Sequence, residues 1–224
     1  MVHRQTAYDE IVMRKLARPV LMAFACLWFS TDGFAMEILA LGTSVTDGKG
    51  VDRDKIYPVK LQEILRSGGV DAVVVNAGVD GDAPIFMLQR LQNAIGPNTR
   101  LVIFEPGSND TKTSNLEYAE KILAYLEAHN VPTIYVSGLF QTRDEAKQMA
   151  DKYHAYYYGG ARKGVPVDEE HFQFDSLPAK KGVGAGHLEF NLGKGGHMTA
   201  AGCELLAKQM APLVERVLKE KNIH

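Results

Sequence analysis

From Glu37 onward, short apolar runs alternate with longer segments whose apolar residues recur every three or four positions. That alternation leaves few architectures open. Strands separated by helices run parallel, and a parallel sheet is apolar on both faces, so helices must cover both. Residues 38–41, 72–75, 101–104 and 133–136 read as the strands. Residues 59–65, 84–95, 116–129, 142–158 and 199–219 read as the helices. On the first, Leu61, Ile64 and Leu65 share one face. On the second, which opens on Pro84, the inward set is Ile85, Leu88 and Leu91. On the third it is Tyr118, Ile122, Leu123 and Leu126. The expected fold is a three-layer α/β/α sandwich around a parallel central sheet. Residues 159–196 are the least regular stretch, rich in glycine, lysine and acids, with 165–167 as a further strand. Long irregular segments of this kind serve as lids or binding loops.

Right-handed crossovers set the C-terminal ends of all strands along one edge, and that edge is where such sheets bind ligands. Ser44, Gly78 and Asn109 each follow a strand directly, so all three are expected to converge there.

The chain has 224 residues and a formal charge of −2, which suits one domain with a sizeable core and gives no electrostatic reason to expect nucleic acid. No apolar run reaches the length needed to span a bilayer. The N-terminus differs in kind from the rest. Arg14, Lys15 and Arg18 precede an apolar run at 20–29, and Gly33-Phe34-Ala35 follows. Basic, then apolar, then small is the layout of a secretory signal. Residues 1–35 are therefore expected to be a signal peptide, with Met13 as an alternative start, and residues 36–224 the mature domain. An uncleaved N-terminal anchor is the competing reading. Cleavage implies a periplasmic or secreted protein with no stable membrane insertion. It also leaves Cys203 as the one cysteine, so no internal disulfide forms. Its place in a helical pattern reads as small and buried.

Four segments carry chemistry, in the order Gly42-Thr43-Ser44-Val45-Thr46, Asn76-Ala77-Gly78, Gly107-Ser108-Asn109-Asp110 and Gly196-His197-Met198. A small-residue turn after a buried strand exposes the Ser44 hydroxyl, as a nucleophile or as a helix N-cap. Gly78 can aim its N–H at a developing oxyanion, or merely turn the chain. The Asn109 amide can donate to the same oxyanion, or close an Asx-turn. His197, at the start of the last helix, is a general base or a surface histidine. Together they are the parts of acyl transfer through serine.

No metal or cofactor site accompanies them. His187 and His197 lack paired ligands at metal spacing, and residues 182–186, though glycine-rich, follow no strand and read as a flexible loop.

In order and spacing, the four segments resemble the blocks of the SGNH hydrolases, also called GDSL esterases and lipases. The resemblance runs from Met36 to the final helix and implies a flavodoxin-like sandwich. It implies Ser44 as nucleophile and His197 as general base. It also implies an oxyanion hole made by the N–H of Ser44, the N–H of Gly78 and the amide of Asn109. The partner implied is a small acyl ester: a carboxylic ester, an O-acetyl group or a thioester. Two positions depart from the family pattern. Thr43 replaces the aspartate usual before the nucleophile, a mainly structural position. Lys194 replaces the aspartate usual three residues before the histidine, and lysine can neither fix the imidazole tautomer nor stabilise the imidazolium. The alternatives for orienting His197 are a backbone carbonyl and an acid of the irregular stretch: Glu189, Asp175 or Asp168. The remaining alternative is a weak or inactive protein of this fold that binds a carbohydrate or an ester.

Overall fold

The computed structural model describes residues 35–137, 140–159, 172–174 and 196–223. All belong to one compact unit, Phe34–His224. Chain order runs β1 (Met36–Gly42), α1 (Ser44–Asp47), α2 (Tyr57–Ser67), β2 (Ala72–Gly78), α3 (Pro84–Ala94), β3 (Thr99–Phe104), α4 (Lys112–Ala128), β4 (Thr133–Val136), α5 (Arg143–Lys152), β5 (Tyr156–Tyr158), β6 (Phe172–Phe174), β7 (Gly196–Met198) and α6 (Ala200–Glu220).

Strands β1 to β5 form one parallel sheet in the order β2-β1-β3-β4-β5. Chain order reverses direction between β1 and β3, which makes that gap the topological switch point of a flavodoxin-like sheet. Pairing is in register from Met36–Ala72 through to Gly42–Gly78, so β1 and β2 end side by side. Strands β6 and β7 form a separate antiparallel pair, with Gln173 opposite His197.

The two-residue period of the strands divides the core. From β1 and β3, Ile38, Ala40, Leu101 and Ile103 face α2 and α6, where they meet Leu61, Leu65, Met210 and Val214. Leu39, Leu41, Val102 and Phe104 face the other way, onto Met87, Leu91, Ile122 and Leu126 of α3 and α4. Each strand is apolar on both faces because each face lies under helices, which gives the expected α/β/α sandwich. Cys203 is fully buried on the α6 side, and burial pushes its thiol up to about 11.

The structure corrects the sequence reading at four places. Residues 142–158 are not one helix. It closes at Lys152, His154 takes φ 49, and Tyr156–Tyr158 pair with β4 as an edge strand. Three successive tyrosines favour a pleated surface, and that preference outweighs the helical spacing. On α3 the inward residues are Met87 and Leu91, with Ile85 and Leu88 half-buried. On α4 Ala119 is buried where Tyr118 was expected, and Tyr118 lies half-exposed beneath Lys121. Finally, His197 belongs to strand β7. The last helix begins only at Ala200, capped by the Thr199 hydroxyl, which accepts from Gly202 N–H at 3.2 Å. The expected strand at 165–167 lies outside the described residues.

Candidate active site

Ser44 opens α1 immediately beyond β1; it is 3% exposed rather than presented at the surface as its turn suggested, and the N-cap is Thr43, not Ser44. Thr43 stands at the N-cap position but makes no side-chain cap, so the turn is held by something other than capping. Its anchor is Glu105, the residue after β3. The Glu105 carboxylate accepts from Thr43 N–H at 2.9 Å, from the Thr43 hydroxyl at 2.9 Å and from the Thr46 hydroxyl at 3.3 Å. Gly107 N–H adds to this set. Burial of the carboxyl pushes Glu105 up to about 7, against the pull of those four donors. Thr43, which stands where the resembled family usually has aspartate, thus hands two donors to a neighbouring carboxylate.

Gly78 ends β2 beneath the backbone of α1. A Cβ at Gly78 would stand 2.1 Å from Asp47 N, so only glycine lets the serine-bearing turn sit this close. Gly107 plays the same part from the other side, with φ 62 and its virtual Cβ 2.2 Å from Thr43 Cγ2. The N–H of Gly78 is itself engaged, donating to Asn76 Oδ1 at 2.8 Å. Asn76 in turn donates to Asp47 O at 3.3 Å. Three residues on, Gly81 turns the exposed loop with φ 76, and no described residue accepts from its N–H.

Asn109 is exposed, and its Nδ2 donates to the backbone carbonyl of Asp82 at 2.9 Å. That bond uses one of the two amide hydrogens and brings the loop after β3 across to the loop after β2. Asn115 of α4, 1% exposed, steadies the loop after β3 from below through Pro106 O at 3.1 Å and Gly107 O at 3.3 Å. Asp110 accepts from Thr111 N–H at 2.6 Å, a loop brace with no tie to Ser44. An ion pair lies beneath the loop after β2: Arg90 of α3 meets Asp82 at 2.8 Å, and the Asp82 side chain is 5% exposed.

His197 is 5% exposed on β7. This strand passes beside α1, with Cα atoms of the two elements within 8 Å. The strand order sets the serine segment and the asparagine loop at one edge of the sheet, and the contact with α1 brings the histidine strand, which lies outside that sheet, to the same place. Glu189, Asp175, Asp168 and Lys194 lie outside the described residues. Among the described residues, no group of three His, Cys, Asp or Glu side chains converges as a metal site. None of their helices is long and apolar enough to cross a membrane.

Sequence reasoning missed Glu105, Asn115 and the Arg90–Asp82 pair. A charge directly after the fully apolar run Leu101–Phe104 was a usable signal for Glu105. Asn115 and Arg90 sit inside amphipathic helical patterns, where polar residues are routine.

No family model matches the chain. Two curated relatives match part of it. An acetylxylan esterase of Xylanibacter ruminicola is 33% identical over 102 residues, 42% of this chain and 21% of that protein. An arylesterase of Vibrio mimicus is 32% identical over 91 residues, 40% of this chain and 45% of that protein. The matched region thus spans less than half the length of either relative. Among solved structures, the SGNH-hydrolase family esterase AlinE4 superposes with a TM-score of 0.52 at 24% identity, covering 83% of this chain and 98% of that one. The psychrotrophic esterase EstA from Pseudoalteromonas sp. superposes with a TM-score of 0.64 at 17% identity, covering 82% and 98%. With its parallel sheet in flavodoxin order and helices on both faces, the chain has the fold of the SGNH-hydrolase esterases.

Proposed function

We propose that the protein is a serine esterase that hydrolyses small acyl esters through an acyl-enzyme on Ser44. The observation that carries this reading is the meeting of α1, which bears Ser44, with β7, which bears His197, beside the Asn109 loop at the switch-point edge. Ser44 Oγ attacks the ester carbonyl while His197 takes its proton. The tetrahedral oxyanion is held by Ser44 N–H, the Asn109 amide and a backbone N–H of the loop after β2. Gly78 is the donor that the resemblance implies. Its N–H must first leave Asn76, whereas Gly81 N–H has no acceptor to leave among the described residues, so Gly81 joins Gly78 as a candidate. His197 then protonates the leaving alcohol, and water, deprotonated by the same imidazole, releases the acid.

Asp175 is the preferred orienting acid for His197, ahead of Glu189 and Asp168. It directly follows β6, whose backbone pairs with the histidine strand. The names of the two curated relatives point to acetylated glycans and aryl esters as first substrates. Residues 1–35 act as an export signal under this reading. The N-terminal mass of protein recovered outside the cytoplasm of an expressing bacterium should then correspond to a start at Met36.

Fluorophosphonate labelling of the purified protein tests the mechanism. Labelling is expected in the wild type, absent in Ser44→Ala and strongly reduced in His197→Ala. Absence of labelling in a folded wild type would overturn the esterase reading in favour of a ligand-binding protein of the same fold.

A further inference from the structure

Arg90 touches the ends of two strands and the loop beneath Asn109 at once. Its Nη2 donates to Ala77 O at 2.8 Å, at the end of β2, and reaches Gly42 O at 3.4 Å, at the end of β1. Nε and Nη2 together hold Asp82 Oδ2, at 3.0 and 2.8 Å. The other carboxylate oxygen of Asp82 accepts from Ala83 N–H at 3.0 Å, at the entry to α3. The backbone carbonyl of Asp82 accepts the Asn109 amide at 2.9 Å. Gly42 O also takes Val79 N–H at 3.1 Å, which closes the loop after β2 onto the strand that leads into Ser44.

Packing alone does not call for this arrangement. A buried ion pair is weak evidence for stability, and apolar residues of the same volume serve a core at least as well. What a guanidinium adds is a rigid fork that satisfies several acceptors in fixed directions. Here those acceptors are a strand end on either side of the turn and the aspartate whose own carbonyl holds Asn109. Oxyanion donors are effective only at about 2.7–3.1 Å from the place where charge develops. A displacement of about 1 Å costs about a hundredfold in rate.

We propose that Arg90, acting through Asp82, is a positioning residue that sets the oxyanion donors of the loops after β2 and β3 against Ser44, a role that rests on the esterase reading above. It touches neither substrate nor reacting atoms. Its effect belongs to the transition state, where oxyanion distances matter, and ground-state binding of the ester is left nearly unchanged.

The test compares wild type, Arg90→Lys and the double variant Asp82→Asn/Arg90→Met, with Ser44→Ala alongside. Lysine keeps a cation beside Asp82 and loses the fork. The double variant removes both charges and keeps the Asp82 backbone carbonyl. kcat and KM are measured with p-nitrophenyl acetate, and thermal unfolding reports which variants are folded at the assay temperature. The expected result is a fall of about thirty- to a hundredfold in kcat with KM within about threefold of wild type. A folded variant with kcat within about threefold of wild type overturns the proposal, as does an effect confined to KM. Failure of both variants to fold also overturns it, because Arg90 would then be a stability residue. Full turnover by Ser44→Ala would instead defeat the esterase reading itself, whatever the Arg90 variants do.

Discussion

Glu105 ties the turn before Ser44 to the loop that carries Asn109, through Thr43 on one side and Gly107 N–H on the other. Its value of about 7 stands above the ordinary carboxylate value of 4.5, because burial disfavours the charge. The folded chain therefore holds this proton more tightly than the unfolded chain. The stabilisation is complete below the ordinary value and is lost as pH rises through about 7. Urea unfolding should show the wild type losing up to about 3 kcal/mol through this group between about pH 5 and pH 8. The slope should be shallower in Glu105→Gln, and an equal slope in the two proteins would assign the pH dependence to other groups. Gly78→Ala makes a second residue-scale case. A methyl placed 2.1 Å from Asp47 N must push α1 away. We expect a loss of at least about 2 kcal/mol in denaturant unfolding, together with most of the activity. At this scale the sequence was legible where a residue type is unusual in its setting. Ser44 after a buried strand, a glycine at a strand end and a late Gly-Gly-His stand out. Asn109 was legible as an amide in a loop, but not the Asp82 carbonyl it would find, because that contact joins loops 27 positions apart.

Element boundaries followed period where period was strong. The runs at β1 to β4 were short, rich in β-branched residues and apolar on both faces, as strands covered by helices are. The last helix was legible from its stripe, but its start was not. Thr199 caps it, and the residues before the cap are free to pair with β6, a partner no local pattern announces. Thr199→Ala should cost about 1 kcal/mol in thermal or chemical unfolding, with Thr199→Ser close to wild type. A loss in both would mean that the methyl and not the hydroxyl holds the junction. The edge strand β5 was hidden for a different reason. Three residues give too short a window for a two-residue period to show.

Over the whole molecule, the sheet separates two apolar layers that share few side chains. Leu61 packs under α6 on one face, and Leu126 packs with Ile122 and Val102 on the other. Each change to alanine should cost about 2–5 kcal/mol. The double variant should equal the sum within about 0.5 kcal/mol, because the backbone of the sheet lies between them. Strong coupling in a denaturant double-mutant cycle would show that the layers yield together.

The order in which the parts of the site emerge has its own consequence. Ser44 follows the first strand, whereas His197 lies on the last, just before a helix that packs on α2. A growing chain displays Ser44 early and His197 only about 150 residues later. Under the esterase reading, a chain that has not yet reached His197, or is cut before it, is hydrolytically silent, and activity switches on only once β7 has paired with β6 and α6 has docked. Under the proposed reading of residues 1–35 as an export signal, a chain kept unfolded until it leaves would cross the cytoplasm without touching the cell's own esters.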